Sequence, residues 1–290
     1  MKRRTRQMIS GLLIQFAVMV GVGLLVYADA AEWFSAINQR RVMTGYNQSV
    51  EQTSDPRREE LLDAAYQYND TLQAGLLLDP FITKEDDGEL NTPRYRAYME
   101  LLRVSGSDAI GTLTYPDLDI ALPIYHGTEQ SALSRGIGHL YGTSLPVGGP
   151  GTHSVLTAHS GLKNARLLTN LLNAEVGQTL WISVMGEDHY YQVRQIETVE
   201  PGDTESLAII PGEDWVTVFT CTPIGLNTHR LMVHAERIDG PGDIITVPEV
   251  PAVGFPWWVV WFVGVSSVSA LLLFTPGRKR AERPSNEDMA

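Results

Sequence analysis

Residues 215–235 of this 290-residue chain read WVTVFTCTPIGLNTHRLMVHA and contain two strand patterns in succession. The first pattern is largely apolar and ends at Cys221, where turn-forming residues follow at once. The second begins at Arg230, and its side chains divide between two faces with the period of two that a strand has. If the two strands pair as an antiparallel hairpin, Cys221 and Arg230 lie side by side at one rim of a sheet.

Further short strand patterns, bounded by glycine and proline, occur on the N-terminal side of this hairpin. The complete set of predicted strands is 111–115, 120–125, 154–158, 179–184, 190–199, 215–221 and 230–238. Many short strands at modest spacing are typical of an all-β barrel or sandwich. We therefore predict a mainly β domain over residues 107–246.

The preceding region, residues 31–106, has helical patterns instead. Asp55-Pro56 has the form of an N-cap followed by proline at the first helical position, and apolar residues then recur at helical spacing. Thr92-Pro93 begins a second predicted helix, which carries Tyr95, Met99 and Leu102 on one face and ends near Gly106.

Charge is unevenly distributed along the chain. The net charge is −12, but residues 1–27 carry +4 and residues 275–290 carry +1, which leaves −17 for residues 28–274. The acidic balance argues against nucleic-acid binding, because phosphate contacts need clustered Lys and Arg. The single cysteine excludes an intramolecular disulfide and a Cys-rich zinc site.

Each basic end adjoins an apolar run, residues 8–27 and 253–274. Twenty helical residues span about 30 Å, the thickness of the hydrocarbon core of a bilayer. Three tryptophans near the start of the second run match an interfacial aromatic belt. The positive-inside rule then predicts two membrane spans, within residues 1–30 and at 253–274, with both termini cytoplasmic, including the tail 275–290, and the intervening chain extracellular.

A cleaved signal peptide is the alternative for the first apolar run, because Ala28-Asp29-Ala30 resembles a signal-peptidase site. The run is longer than the 7–15 apolar residues of a signal peptide, which favours an uncleaved anchor. The second run predicts membrane attachment in either case.

Cys221 is the candidate nucleophile. A lone cysteine in an exported domain is either a buried small hydrophobe or a reactive thiol, and a position at a strand end favours a site built on loops. Arg230 beside it could lower the thiol pKa or stabilise an oxyanion; otherwise it is a solvated charge.

Thiol catalysis also needs an acid–base partner, usually histidine. The candidates are His126, His139, His153, His159, His189, His229 and His234. His159 has the best context, because it follows the predicted strand 154–158 and precedes Ser160-Gly161. The histidines show no spacing typical of metal ligands, so no metal site is predicted.

Several segments carry a family resemblance. Residues 217–221, TVFTC, resemble the T-L-x-T-C signature of sortases, the cell-wall transpeptidases of Gram-positive bacteria, with valine in place of leucine. The run that continues to Leu231 resembles the pilus-assembling class C branch, as do residues 122–128 (LPIYHGT), 138–146 (GHLYGTSLP) and 156–162 (LTAHSGL). The resemblance covers about residues 45–240. One departure is Val233-His234-Ala235, where the family often has Val-Arg-Gly.

The resemblance implies a sortase-type eight-stranded β-barrel with an N-terminal helical extension and two flanking transmembrane helices. It also implies that Cys221 attacks the Thr–Gly bond of an L-P-x-T-G-type sorting signal and forms an acyl-thioester. His159 would protonate the leaving amine, and Arg230 would hold the substrate and stabilise the oxyanion. A lysine amine of another pilin would then form an isopeptide bond without any cofactor. The expected partners are LPXTG-type pilins and the lipid bilayer, and not nucleic acid.

Asp79-Pro80-Phe81, in the loop 76–91, by itself indicates only a turn. By its resemblance to class C sortases, the motif matches their lid, a loop that covers the active site. Asp79 would then pair with Arg230 while Phe81 packs over Cys221.

Three other functions are alternatives to this one. A housekeeping sortase would transfer its substrate to the peptidoglycan precursor; the lid and the second span argue against it. An idle barrel that only binds sorting signals or scaffolds pilins would not need His159, Cys221 and Arg230 together. A papain-like protease is disfavoured because its cysteine precedes its histidine, the reverse of the order here.

Overall fold

The computed structural model describes residues 2–72, 92–240 and 253–275. Their helices are α1 (Lys2–Gln52), α2 (Asp55–Asp70), α3 (Pro93–Tyr98), α4 (Gln130–Leu133) and α5 (Trp257–Phe274), with short 3-10 helices at Pro116–Leu118, Thr169–Asn173 and Glu205–Leu207. Their strands are β1 (Ala109–Tyr115), β2 (Ile120–His126), β3 (Ile137–His139), β4 (Thr152–Thr157), β5 (Thr179–Val184), β6 (Glu187–Val199), β7 (Asp214–Thr222) and β8 (His229–Arg237). The predicted lid, with Asp79 and Phe81, lies outside the described residues.

The eight strands close into one barrel in the order β1-β2-β3-β4-β7-β8-β6-β5. Neighbouring strands are antiparallel except for the pairs β2–β3 and β4–β7, which are parallel. This closure confirms the predicted mainly β fold and its eight-stranded barrel. It also leaves no unpaired sheet edge between the eight strands.

Side-chain alternation divides the β7–β8 hairpin between two faces. Val216 and Val218 of β7 belong to the main hydrophobic core, as do Val233 and Ala235 of β8, and all four are fully buried. The residues between them therefore point to the opposite, outer face, which carries Cys221. A second, smaller apolar cluster covers part of this outer face.

Strand β3 was not among the predicted strands. It has only three residues, too few for any alternation to be recognised. The close packing of this strand requires glycine at position 138, because a Cβ atom there would lie 2.4 Å from the carbonyl oxygen of Gly127. The strand completes the barrel by pairing with β2 on one side and β4 on the other.

The prediction that the second helix continues to near Gly106 is wrong. Thr92 caps α3 as expected, since its Oγ1 accepts a hydrogen bond of 3.2 Å from the Tyr95 amide. The helix nevertheless ends at Tyr98, and Leu102 has a positive φ of 55°, a left-handed conformation that no α-helix continues through. Burial of Leu102 in the core outweighs this local cost.

The end of α1 is attached to the barrel through Tyr46. Its hydroxyl donates to the Ile110 carbonyl at 3.0 Å and accepts from the Met185 amide at 2.9 Å. Burial raises the pKa of Tyr46 to about 12, so the phenol keeps its proton. Tyr46 therefore connects α1 to both β1 and the turn after β5.

The described residues divide into two compact units, one within residues 2–30 and 255–275 and the other within residues 31–254. Within the described residues, the helix from Met8 onward and α5 are long and apolar enough to cross a membrane. In the first unit these helices are joined by Gln15, whose Nε2 donates to the Ser266 carbonyl at 3.0 Å and whose Oε1 accepts from Ser269 at 2.7 Å. Such contacts are a usual means of helix association in lipid.

Candidate active site

Cys221 and Arg230 are directly paired in the antiparallel ladder of β7 and β8, as the hairpin pattern predicts. Both side chains are buried, with 6% of Cys221 and 3% of Arg230 exposed. The Arg230 Nη1 atom donates to the carbonyl oxygens of Asn227 and His229, each at 3.1 Å. The guanidinium is therefore held against the turn at the same rim as the thiol.

The turn between β7 and β8 takes its shape from two residues with positive φ. Gly225 has φ 83° and Asn227 has φ 56°, a region that glycine and asparagine adopt more readily than other residues. The Pro223 carbonyl accepts from the amides of Leu226 at 3.1 Å and Asn227 at 2.9 Å. This closed turn leaves the Asn227 carbonyl available to Arg230.

His159 follows β4, the parallel neighbour of β7 in the barrel. On one side of it, the Thr220 hydroxyl donates to the Ala158 carbonyl at 2.8 Å. On the other side, the Ser160 hydroxyl donates to the Cys221 carbonyl at 2.7 Å. These two hydrogen bonds, one on each side of His159 in the chain, hold its backbone beside that of Cys221. The fold therefore brings all three candidate residues to one rim.

The imidazole of His159 is half-buried, and its burial lowers its pKa. Its Nε2 atom lies 3.1 Å from the Oε1 atom of Gln130, at the start of α4. The sequence does not predict Gln130 as a site residue, because no local pattern distinguishes one exposed glutamine in a four-residue helix. A contact across 29 residues becomes visible only in the folded chain.

The other histidines lie in different surroundings. His139 is fully buried between the Tyr98 hydroxyl and the Ser144 carbonyl, each 2.8 Å from a ring nitrogen, and burial lowers its pKa to about 4. His126, His153, His189 and His234 are also buried, whereas His229 is exposed. His159 differs from these six because it lies between Ala158 and Ser160, which are hydrogen-bonded to Thr220 and Cys221 of β7.

The chemical groups at this rim are a thiol, an imidazole and a guanidinium. In the part of the chain that the structure describes, no group of three or more His, Cys, Asp or Glu residues is arranged to hold a metal ion. The arrangement is suited to nucleophilic catalysis, with an acid–base group at the same rim as the thiol and a cation that can stabilise a developing oxyanion.

Residues 113–238 match the Sortase domain family model. Sortase A of Streptococcus agalactiae serotype III (strain NEM316) is 29% identical over 143 residues, which are 48% of this chain and 57% of that protein. The chain thus matches little more than half the length of that relative.

Solved structures are more similar. Sortase C-1 of Actinomyces oris (formerly Actinomyces naeslundii) is 40% identical with a TM-score of 0.59, over 63% of this chain and 99% of that one. Sortase C of Streptococcus pneumoniae is 37% identical with a TM-score of 0.62, over 72% of this chain and 100% of that one. The chain therefore belongs to the sortase family, and its structural neighbours identify it as a class C sortase.

Proposed function

We propose that this protein is a membrane-anchored cysteine transpeptidase that joins pilin subunits. It cleaves an LPXTG-type sorting signal between Thr and Gly and transfers the acyl group to a lysine amine of another pilin. The observation that carries the proposal is the shared rim of Cys221, Arg230 and the chain around His159. The similarity to the sortase C of Streptococcus pneumoniae, whose crystal structure bears on pilin substrate specificity, supports a pilin as substrate.

The first half-reaction forms an acyl-enzyme. The Cys221 thiolate adds to the carbonyl carbon of the threonine, and the negative charge moves to the carbonyl oxygen, where the Arg230 guanidinium stabilises it. When the tetrahedral intermediate collapses, the C–N bond breaks and His159 gives a proton to the departing glycine amine. The acyl group remains on Sγ as a thioester.

The second half-reaction resolves the thioester. A lysine ε-amine adds to the same carbonyl carbon, transfers a proton to His159 and displaces the Cys221 thiolate. The product is an isopeptide bond, and the enzyme returns to its starting protonation state. A thioester is reactive enough toward amines that the step needs no ATP.

Mass spectrometry of the full chain in detergent, with an LPXTG peptide and a lysine-containing peptide, tests this function. We expect a mass on Cys221 equal to the acyl fragment, followed by the isopeptide product, and neither species with Cys221→Ala. Cleavage that persists in Cys221→Ala would overturn the enzyme assignment. Binding without cleavage by the wild type would favour the scaffold alternative, and exclusive use of a peptidoglycan-precursor amine would favour a housekeeping sortase.

We also propose that Asp79 and Phe81 form a lid, with Asp79 paired to Arg230 and Phe81 over Cys221. The motif and the burial of both Cys221 and Arg230 support this regulation. Labelling of Cys221 by a thiol reagent should be faster in Asp79→Ala/Phe81→Ala than in wild type. Equal labelling rates would oppose a lid.

The proposed membrane topology has both termini in the cytoplasm and residues 31–252 outside the cell. The two apolar helices and the basic ends support it. Protease added to intact cells should cut between the spans and leave a tag at either terminus protected. Cleavage of a terminal tag in intact cells would contradict this orientation.

A further inference from the structure

A chain of buried hydrogen bonds crosses the outer face of the barrel below the candidate site. Thr217 Oγ1 lies 2.7 Å from His153 Nε2 and 2.7 Å from His234 Nδ1. His153 Nδ1 lies 3.0 Å from the Ala208 carbonyl, and His234 Nε2 lies 3.2 Å from Glu197 Oε1. The side chains of His153, Thr217 and His234 are almost wholly buried, which makes each of these bonds costly to lose.

The direction of the bonds made by His153 follows from the partner of its Nδ1 atom. Burial lowers the pKa of His153 to about 4, so its ring is neutral at physiological pH. The Ala208 carbonyl can only accept, so the single ring proton is on Nδ1 and Nε2 must accept from the Thr217 hydroxyl. Thr217 Oγ1 in turn accepts from His234 Nδ1. The Thr217 hydroxyl is therefore bonded to the His153 tautomer that donates to Ala208.

Ala208 belongs to the segment between β6 and β7, residues 200–213, which we call the 200–213 segment. Leu207 of this segment packs in a cluster with Phe219 and Met232. Ser206 hydrogen-bonds Glu197 and lowers the pKa of that carboxyl, and its hydroxyl lies 3.6 Å from Met232 Sδ. The segment is thus attached to the barrel at Ser206, Leu207 and Ala208, and at its end by Glu213, whose carbonyl accepts from the amides of Gly151 at 2.7 Å and Thr152 at 3.1 Å.

This attachment is close to the candidate site. Phe219 and Met232 are paired with each other in the ladder, two residues from Cys221 and Arg230 respectively, on the same face. Two residues along a strand correspond to about 7 Å. The 200–213 segment therefore borders the outer face next to the nucleophile.

We propose that His153 is a positioning residue, aligned by Thr217 and His234, whose bond to Ala208 holds the 200–213 segment as one wall of the acyl-donor peptide site. This inference rests on the proposed function. At the departure Val233-His234-Ala235, the His234 ring donates to the buried Thr217 through Nδ1 and, when the ring is protonated, to Glu197 through Nε2.

Two substitutions at position 153 separate the two ring nitrogens. In His153→Asn, the amide nitrogen takes the place of Nδ1 and can still donate to Ala208. In His153→Gln, the amide takes the place of Nε2, so the contact with Thr217 is kept and the bond to Ala208 is lost. Both replacements are neutral amides, which makes each the control for the other.

The test measures cleavage of an LPXTG peptide by the full chain in detergent, together with the alkylation rate of Cys221. We expect His153→Gln to raise KM for the peptide about tenfold, the effect of one lost buried hydrogen bond, with kcat and alkylation unchanged. His153→Asn should keep the wild-type KM. Equal KM values for the two variants, or a matching fall in kcat and alkylation in His153→Gln, would overturn the proposal.

Hydrogen–deuterium exchange provides a readout that does not depend on activity. Amides of the 200–213 segment should exchange faster in His153→Gln than in wild type, and at the wild-type rate in His153→Asn. Absence of peptide cleavage by the wild type would count against the proposed function, whereas the exchange pattern would still decide whether His153 holds the segment. Identical exchange in both variants would refute that role.

Discussion

The Ser160 hydroxyl donates a 2.7 Å hydrogen bond to the Cys221 carbonyl, and this bond connects the loop after β4 to the strand of the candidate nucleophile. Ser160 directly follows His159, so the bond restricts where the imidazole can lie relative to the thiol. Misplacement of a catalytic group by about 1 Å can cost a hundredfold in rate. The Ser160–Cys221 bond is therefore a specific target for mutation.

Ser160→Ala removes this bond and should lower kcat for peptide cleavage by about tenfold or more, because His159 becomes less well aligned. The free energy of unfolding should fall by about 1 kcal/mol, the usual net effect of one hydrogen bond. Ser160→Thr retains the hydroxyl and is the control. Wild-type kcat in Ser160→Ala would show that the bond does not align the site.

Gly161→Ala should lower activity, because the added methyl group would clash with a residue of the β7–β8 turn. Gly161 has φ +68°, and a Cβ atom there would lie 2.3 Å from Cγ2 of Ile224 in the β7–β8 turn. Gly177 is the matched control, since its φ is +96° and nothing lies within 4 Å of its Cβ position. Both alanine variants should lose about 1 kcal/mol through backbone strain, but only Gly161→Ala should also lose activity. Ile224→Ala should restore part of that activity.

Gln130→Glu should shift the pH dependence of cleavage. Burial lowers the pKa of His159, and a carboxylate in place of the amide oxygen 3.1 Å from Nε2 would favour the imidazolium and raise that pKa. The histidine limb of the pH–kcat/KM profile should move upward by on the order of one unit. Gln130→Ala introduces no charge and should not produce this upward shift. An unchanged profile in Gln130→Glu would argue against the contact.

Stability should fall as the pH decreases from 6.5 toward 4. Burial lowers the pKa of His139, His153 and His189 to about 4 and that of His126 to about 3. Below pH 6.5 the unfolded chain binds protons that the folded chain does not, so unfolding becomes easier until the folded pKa is reached. Each such histidine contributes up to about 1.4 kcal/mol per pH unit.

His189→Asn can test this linkage with little structural change. His189 Nδ1 lies 2.7 Å from Arg237 Nη1, and an asparagine oxygen can accept the same bond without titrating. The variant should show a shallower loss of unfolding free energy with falling pH, measured by denaturant titration. Equal slopes in wild type and His189→Asn would contradict the assignment.

The pairing of Cys221 with Arg230 could be predicted from sequence, because a turn and two alternating strands determine a hairpin locally. The extent of the second helix could not be predicted in the same way. Tyr95, Met99 and Leu102 have helical spacing, but tertiary burial of Leu102 in a left-handed conformation outweighs that preference. The strand β3 was not predictable because its three residues are too few to show an alternation of apolar and polar side chains.

The position of His159 relative to Cys221 could be predicted only in part from the sequence. The sequence placed both residues at strand ends, and the family resemblance implied that His159 protonates the amine released by Cys221. The hydrogen bonds of Ala158 and Ser160 to residues of β7, which are separated from them by about 60 positions, form only when the barrel closes.

By itself, the sequence determined the mainly β character, the apolar runs and the local hairpin, since these depend on short-range periodicity and composition. Only the tertiary structure decided that Gln130 contacts His159 and that Thr217 joins His153 to His234. The physical reason is that hydrogen bonds between distant segments depend on strand order and register, which no local pattern encodes.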